Sequence, residues 1–205
     1  MSVHLSKYIK IALSNFLKPL IILLCLVSSC TSQKRYVGND YSFYSKNFKL
    51  DSAAFLRTDG VYILDRTETD GTNETKKVHH DKKIYKFYPN GQVNMVLDSA
   101  NELKSDDDYM KAFNSKINAS SITKNATLFE GYYRIQGNRM VIQFVNQPLR
   151  QFYYTYVYLA EKQMIIVKTT HVGRGKIKER YYNSSYKEPY LFKQTHVDDY
   201  LPPDW

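Results

Sequence analysis

Apolar and polar residues alternate in short runs along most of the chain from residue 53 onward. The clearest runs come in pairs that flank Asn90-Gly91 and Gly137-Asn138, and such a dipeptide between alternating segments is a strong hairpin signal. The second turn sets Tyr133 opposite Ile142, so that one face of this hairpin is uniformly apolar. The predicted strands comprise residues 55–65, 83–88, 92–98, 131–136, 139–145, 151–160, 163–172, 176–182 and 189–196.

One stretch has helical rather than strand periodicity. Ser105 stands three residues before Asp108, which is the spacing of a capping box, and acids fill positions 106–108. Tyr109, Phe113 and Ile117 then follow at a spacing of four and form one apolar stripe. Three consecutive acids lack the alternating ligands and glycine turn of a calcium loop, so they are predicted to complement the helix dipole.

This succession of hairpins predicts a mainly β fold with one short helix. An antiparallel up-and-down barrel of about eight to nine strands is favoured because closure removes exposed sheet edges, and a β-sandwich is the alternative. Gly60-Val61-Tyr62 forms a Gly-x-aromatic element in the first strand. With the strand order, it makes residues 53–196 resemble the lipocalin-like lipoproteins of bacterial envelopes, although Tyr62 stands where that family usually has tryptophan. The resemblance implies a lipocalin-like barrel.

The N-terminal region has the three parts of an export signal. The first 18 residues carry Lys7, Lys10 and Lys18 and no acid, residues 19–27 are continuously apolar, and small serines follow. A membrane-spanning helix needs about 20 apolar residues, and this run is much shorter.

Val27-Ser28-Ser29-Cys30 resembles the bacterial lipobox, which implies cleavage before Cys30 and lipidation of its thiol. The predicted organisation is a lipoprotein signal peptide over residues 1–29, a lipidated cysteine and tether over 30–52, and a lipocalin-like β domain with a C-terminal tail over 53–205. Thr31 replaces the aspartate that retains some lipoproteins at the inner membrane. The resemblance therefore implies an outer-membrane lipoprotein, anchored on the periplasmic face, with the cell surface as the alternative.

Composition narrows the classes of function. The formal charge is +9 for the whole chain and +6 without residues 1–29, which hold three lysines and no acid. Basic residues are scattered among acids rather than gathered into a stripe, so nucleic acid is not an expected partner. Because Cys30 is the only cysteine after residue 29, disulfides, a cysteine nucleophile and a thiolate metal site are excluded.

The sequence contains few residues suited to catalysis. His79-His80 has no evident third metal ligand, His171 and His196 are isolated in sequence, and no G-x-S-x-G motif is present. We therefore expect no metal, no cofactor and no enzymatic activity, with an unrecognised hydrolase as the residual alternative.

The residues most suggestive of binding are tyrosines of the segment 151–160. Tyr154, Tyr156 and Tyr158 share one face of the predicted strand, and the opposite face is also apolar. These tyrosines line the interior of a barrel, belong to a strand covered on both sides, or form an outer aromatic face for a partner. Trp205, the only tryptophan, is either an anchor for a partner or a plug of this domain.

Two short motifs predict modification. Asp51-Ser52-Ala53 and Asp98-Ser99-Ala100 resemble an acceptor motif of bacterial O-glycosylation, which would place sugars on Ser52 and Ser99.

The leading hypothesis is a non-catalytic, lipid-anchored binding module for a small amphipathic ligand or a lipid. The alternative is a structural or interaction lipoprotein of the envelope that docks a partner protein through an aromatic face or the C-terminal tail.

Overall fold

Strands and a single α-helix form the part of the chain that the computed structural model describes, which comprises residues 36–69, 82–114, 126–146, 149, 151–196, 200 and 203. The strands are β1 (Gly60–Leu64), β2 (Glu68–Thr69), β3 (Lys82–Phe87), β4 (Gln92–Asp98), β5 (Ala126–Gln136), β6 (Arg139–Asn146), β7 (Gln151–Ala160), β8 (Gln163–Thr170) and β9 (Tyr186–Gln194). Helix α1 (Asp106–Asn114) lies between β4 and β5, and two 3-10 turns comprise Gly38–Asp40 and Glu179–Tyr181.

Eight of the strands close into an antiparallel up-and-down barrel. Their order is β1-β3-β4-β5-β6-β7-β8-β9, and β1 pairs back to β9, with Gly60 opposite Gln194 and Leu64 opposite Tyr190. Strand β2 adds only a two-residue pairing to β9. The predicted barrel is therefore confirmed, including the opposition of Tyr133 and Ile142 across the β5–β6 turn.

The barrel interior is packed with large side chains that alternate along every wall strand. Ring pairs meet edge to face, among them Tyr62 with Phe87 and Phe87 with Tyr133, at centroid distances of 5.6 and 5.4 Å. This interior cluster comprises Leu56, Tyr62, Tyr85, Phe87, Val93, Met95, Tyr133, Met140, Ile142, Phe144, Val157, Leu159, Met164, Ile166 and Tyr190.

The segment before β1 closes one end of the barrel instead of extending the first strand. The prediction that this strand begins at residue 55 was wrong, because β1 starts at Gly60. Leu56 belongs to the interior cluster, Phe48 packs edge to face on Tyr133, and the Arg57 N–H donates to the Tyr62 hydroxyl at 2.9 Å. Apolar side chains at this end are buried more effectively by plugging the barrel than by pairing at its rim.

Part of the predicted tether also packs on the barrel. Tyr41 and Phe43 are buried against the outside of the wall, and the buried Gln143 accepts the Phe43 N–H at 3.0 Å. They belong to an outer tyrosine cluster, which comprises Tyr41, Phe43, Tyr132, Val141, Val145, Tyr154, Tyr156, Val167, Tyr181 and Tyr182. The folded part of the chain therefore extends upstream of residue 53, to Tyr36 in the described region.

The predicted strand over residues 176–182 was wrong. These residues form an irregular segment with the 3-10 turn at its end, and its Tyr181 and Tyr182 pack onto the outer tyrosine cluster. Strand β8 pairs with β7 and β9. The closed ring thus leaves no edge to which this segment can add.

Helix α1 starts as the capping pattern predicts. The Asp108 N–H donates to Ser105 Oγ at 3.1 Å, and Asp108 Oδ2 accepts the Ser105 N–H at 2.9 Å. The backbone N–H groups of Ser105 and Lys104 lower the pKa of Asp108 to about 2. Tyr109 and Phe113 are buried, whereas Ile117 lies outside the described residues. The helix covers a second outer patch of the wall around Val61, Ile84 and Val96.

A lysine is buried on this outer side of the barrel. Lys86 is 2 % exposed, its Nζ donates to the Thr58 carbonyl at 2.6 Å, and it lies 4.6 Å from the centroid of the Tyr200 ring. Burial lowers the pKa of Lys86 to about 8, although Asp59 opposes the shift. The charged form is therefore less stable in the folded protein than in the unfolded chain.

We expect this lysine to make stability rise with pH. Between the folded pKa of about 8 and the ordinary value of 10.5, the unfolded chain binds the proton more tightly, so deprotonation favours folding. From pH 7 to 9.5 the wild type should gain on the order of 1–2 kcal/mol relative to Lys86→Met, measured by urea denaturation. Parallel pH profiles of the two proteins would contradict a depressed pKa at Lys86.

Candidate ligand-binding site

The interior cluster does not fill the whole barrel. A cavity of about 570 Å³ remains at the end opposite the plug formed by Leu56, and we call it the barrel cavity. Strands β8 and β9 are paired only where Gln163–Ile166 faces Glu188–Leu191. Beyond a bulge between Tyr156 and Val157, the last residues of β8 pair with β7 alone. Residues of β8 and β9 then line the cavity together where the two strands separate.

Half of the residues that line the barrel cavity are aromatic or aliphatic, and the other half are polar or charged. Tyr85, Met95 and Ile166 come from the interior cluster. Tyr153 stacks on the interior Phe144 with a centroid distance of 5.6 Å, and burial raises its pKa to about 12. At the mouth, the hydroxyls of Thr155 and Thr169 are 3.1 Å apart, and Thr169 is exposed. The cavity thus offers an apolar wall and a polar mouth.

A buried carboxylate supplies the charged part of the cavity. Glu188 Oε1 accepts from Lys83 Nζ at 2.7 Å and from the Tyr186 hydroxyl, and Oε2 accepts from the Tyr190 hydroxyl at 2.9 Å. The Glu188 side chain is 7 % exposed and that of Lys83 is 31 % exposed. The cluster lies at the start of β9, where Pro189 continues the strand and Glu188 shares a face with its two tyrosine partners.

The partners of Glu188 remain hydrogen-bond donors at neutral pH. Burial raises the pKa of Tyr190 well above its ordinary value, and burial together with Glu188 raises that of Tyr186. Glu188 therefore accepts hydrogen bonds from three donors, one ammonium group and two neutral hydroxyls. Lys83 has three N–H donors, of which Glu188 uses one, so the amine retains capacity for an acceptor in the cavity.

The three tyrosines of β7 that were predicted as binding residues lie on the outside of the barrel wall. Tyr154 and Tyr156 belong to the outer tyrosine cluster, and Tyr158 packs against that cluster from outside. They are covered by the chain's own residues, among them Phe43 beside Tyr154 and Tyr181 stacked on Tyr156 at 4.7 Å. The hypothesis that these three tyrosines line the interior was therefore wrong, and a strand covered on both sides is what forms.

The interior face of β7 carries the alternate residues. Val157 and Leu159 enter the interior cluster, and Thr155 and Tyr153 line the barrel cavity. The sequence alone does not give this orientation, because it depends on the register of β6 with β7. Ile142 lies on the apolar face of the β5–β6 hairpin, and the register of β6 with β7 places Thr155 opposite it.

The cluster around Glu188 was not predicted from the sequence, because the last strand was predicted to begin at Pro189. Strand β9 begins at Tyr186, three residues earlier. With that start, Glu188 shares one face with Tyr186, Tyr190 and Phe192, and a lone carboxylate on an aromatic face indicates a buried polar site.

Other predicted site residues lie outside the cavity or outside the described chain. Ser52 and Ser99 are exposed in turns, as glycosylation would require, and their modification stays a prediction. His171 and His196 are exposed and do not line the barrel cavity. Cys30, His79-His80 and Trp205 lie outside the described residues.

The described residues contain neither a metal-binding group nor a membrane-spanning helix. Among these residues, no three His, Cys, Asp or Glu side chains converge in a group that could hold a metal ion. No helix within the same ranges is long and apolar enough to cross a membrane.

The fold and the cavity define the class of protein. The chain is an eight-stranded antiparallel up-and-down β-barrel with a plugged end and an open interior cavity at the other end. Comparison with protein-family models, with curated proteins and with solved structures finds no match.

Proposed function

We propose that this protein is a non-catalytic binding module that takes a small amphipathic ligand into the barrel cavity. The observation that carries the proposal is a cavity of about 570 Å³ with aromatic walls and one charged cluster. Pockets for small molecules have volumes of roughly 300–1,000 Å³ and combine apolar walls with a few polar groups.

The two parts of the cavity suit the two parts of an amphipathic molecule. The apolar part of the ligand packs against Tyr85, Met95 and Ile166, and this contact removes the ligand's own apolar surface from water. The polar part accepts a hydrogen bond from Lys83 near the mouth, where the Thr169 hydroxyl also lies. Lys83 and Glu188 neutralise each other, and Lys168 also lines the cavity, so the site suits a neutral or an anionic polar group.

The proposal includes the membrane anchor. Lipidation at Cys30 would hold the barrel at the periplasmic face of the outer membrane, and the lipobox-like sequence supports this placement. The rival hypothesis of a partner on the aromatic face of β7 is weakened, because Tyr154 and Tyr156 are already buried under the chain's own segments. A partner that binds through Trp205 stays a separate prediction.

Filling the mouth of the cavity tests the binding proposal. The full chain carrying Cys30→Ala, which we expect to be released from membranes, should bind the uncharged fluorophore N-phenyl-1-naphthylamine saturably. Thr169→Trp places an indole at the exposed mouth and should weaken that binding at least tenfold, because the ring occupies the ligand's path. Fluorescence titration measures the change, and native mass spectrometry detects a co-purified molecule.

Thr169→Val is the matched control. It removes the same hydroxyl and its contact with Thr155 but leaves the mouth open, so binding should change by no more than about threefold. If Thr169→Trp and the wild type bound the probe equally well, the probe would bind outside the barrel cavity. If the wild type did not bind the probe, the proposal of a ligand-binding cavity would be contradicted.

A further inference from the structure

A second depression lies on the outside of the barrel and is lined by cations. Arg134 on β5 and Arg174 and Lys176 in the segment after β8 border a volume of about 610 Å³, with Tyr154 and Gly175 at its floor. We call this the basic depression. No aspartate or glutamate is among its lining residues.

The three cations of the basic depression have no acid partner among the described residues. Ion pairs with acids are formed by Arg57, Arg66, Lys83, Arg139 and Lys193, none of which lines the depression. Three neighbouring positive charges without a carboxylate repel one another, so their proximity costs stability unless an anion joins them.

One of the cations, Arg134, is also held in place by the fold. Arg134 Nη2 donates to the Ser42 carbonyl at 2.5 Å, and its guanidinium lies 4.5 Å from the centroid of the Phe43 ring. A side chain at Gly175 would come within 2.7 Å of the Tyr154 ring, which shows how closely this part of the segment is packed on the wall. Preorganised donors lose less conformational entropy when they bind a ligand.

Arg174 adopts a backbone conformation that arginine rarely occupies. Its φ is +50°, between Gly173 at +91° and Gly175 at +65°. The other described non-glycine residue with positive φ is Asn101, a residue type that tolerates this region. Glycine would relieve the strain at position 174, so the guanidinium is retained there at a cost in stability, which points to a function of the side chain.

We propose that the basic depression binds the phosphate group of an organic phosphate. Two guanidinium groups and one ammonium supply charge and forked donors for phosphate oxygens, and Tyr154 and Ile177 provide an apolar surface for the attached organic part. The phosphate belongs either to a soluble phosphate ester or to a phospholipid headgroup. This site is on the opposite side of the barrel wall from the barrel cavity, so it does not depend on the function proposed above.

Two probes distinguish these sources in the full chain carrying Cys30→Ala. Glycerol 3-phosphate, titrated by calorimetry, represents a soluble ester. Vesicles of phosphatidylglycerol, compared with vesicles of phosphatidylcholine in a sedimentation assay, represent an anionic lipid surface. Binding to either probe should weaken as salt is raised, because the contacts are ionic.

Arg174→Gly distinguishes an arginine that binds phosphate from one that only stabilises the fold. It should weaken binding of the active probe at least tenfold and at the same time raise Tm by roughly 1–4 °C, since it removes backbone strain. Lys178→Ala is the control, because it removes one nearby exposed charge that does not line the depression, and binding should stay within about twofold.

The outcomes separate cleanly. Binding of glycerol 3-phosphate supports a soluble ester, and binding of phosphatidylglycerol vesicles alone supports a headgroup. Absence of binding in both arms, or equal loss in Arg174→Gly and Lys178→Ala, would overturn the proposal. Binding of N-phenyl-1-naphthylamine should be unchanged in Arg174→Gly, so failure here is distinguishable from failure of the barrel cavity as a ligand site.

Discussion

Gly60→Ala should lower the free energy of unfolding by about 3 kcal/mol or more, which is at the upper end of the range for overpacked sites. Gly60 begins β1 and faces Gln194 across the pairing that closes the barrel. A Cβ at this position would overlap the carbonyl oxygen of Lys193 and lie 2.8 Å from Cα of Gln194 and 2.6 Å from Cζ of Phe192. Two of these obstacles are backbone atoms, which cannot move aside without opening the β1–β9 pairing.

Gly137→Ala is the matched control for this prediction. Gly137 lies in the turn between β5 and β6, where a Cβ meets nothing within 4 Å. Its φ of +59° makes alanine cost roughly 1–2 kcal/mol through backbone strain alone. Urea denaturation of both variants measures the difference. An equal loss in the two variants would show that close packing at the barrel seam is not what requires glycine at position 60.

Asp98→Ala should cost about 2–4 kcal/mol. Asp98 is fully buried at the end of β4, where Oδ1 accepts the Glu102 N–H at 3.0 Å and Oδ2 accepts the Leu103 N–H at 2.9 Å. Alanine would leave two backbone donors without these acceptors, one of them on the buried Leu103. Because this turn leads into α1, the substitution should also loosen the helix against the barrel, which hydrogen exchange of residues 106–114 would detect.

Asp98→Asn separates the hydrogen bonds from the burial of the side chain. Asparagine has nearly the same shape and keeps one carbonyl acceptor, so it should lose about half as much stability as alanine does. If asparagine and alanine were equally destabilising, the negative charge rather than the two hydrogen bonds would account for the role of Asp98.

The hairpins and the helix could be predicted because local chemistry determines them. Asn90-Gly91 permits a tight turn, with Gly91 at a φ of +90°, and the strands on either side follow from alternation. Ser105 and Asp108 are close in sequence and cap α1 as their spacing requires. The barrel is consistent with the chain order, since adjacent hairpins leave two edges and closure pairs them with each other.

The orientation of β7 could not be read from that strand alone. Tyr156 and Val157 are both fully buried, because the interior packs against one face and distant segments cover the other. Residues 36–43 and 177–182 provide that cover, and their packing on the wall depends on tertiary contacts far apart in sequence. A strand that is apolar on both faces carries no period that distinguishes inside from outside.

The candidate site was hidden for a related reason. Glu188 receives its partners from β3 and from its own strand, and the ion pair with Lys83 joins residues that only the closed barrel brings together. Pro189 suggested a strand terminus, although in the barrel this position lies within β9 and its carbonyl accepts the Asp65 N–H at 3.0 Å. Tertiary closure thus decides both which carboxylate is buried and what neutralises it.

The pairing of β1 with β9 also bears on how the chain folds. It joins the first and last strands of the barrel, so this pairing has the longest sequence separation in the sheet. Folding rates fall as such non-local contacts increase, and we expect refolding on a scale of milliseconds to seconds. Until β9 has been synthesised, the remaining strands form an open sheet with two free edges, which invite pairing with other chains. A nascent chain of this protein therefore needs protection from aggregation until its last strand is available.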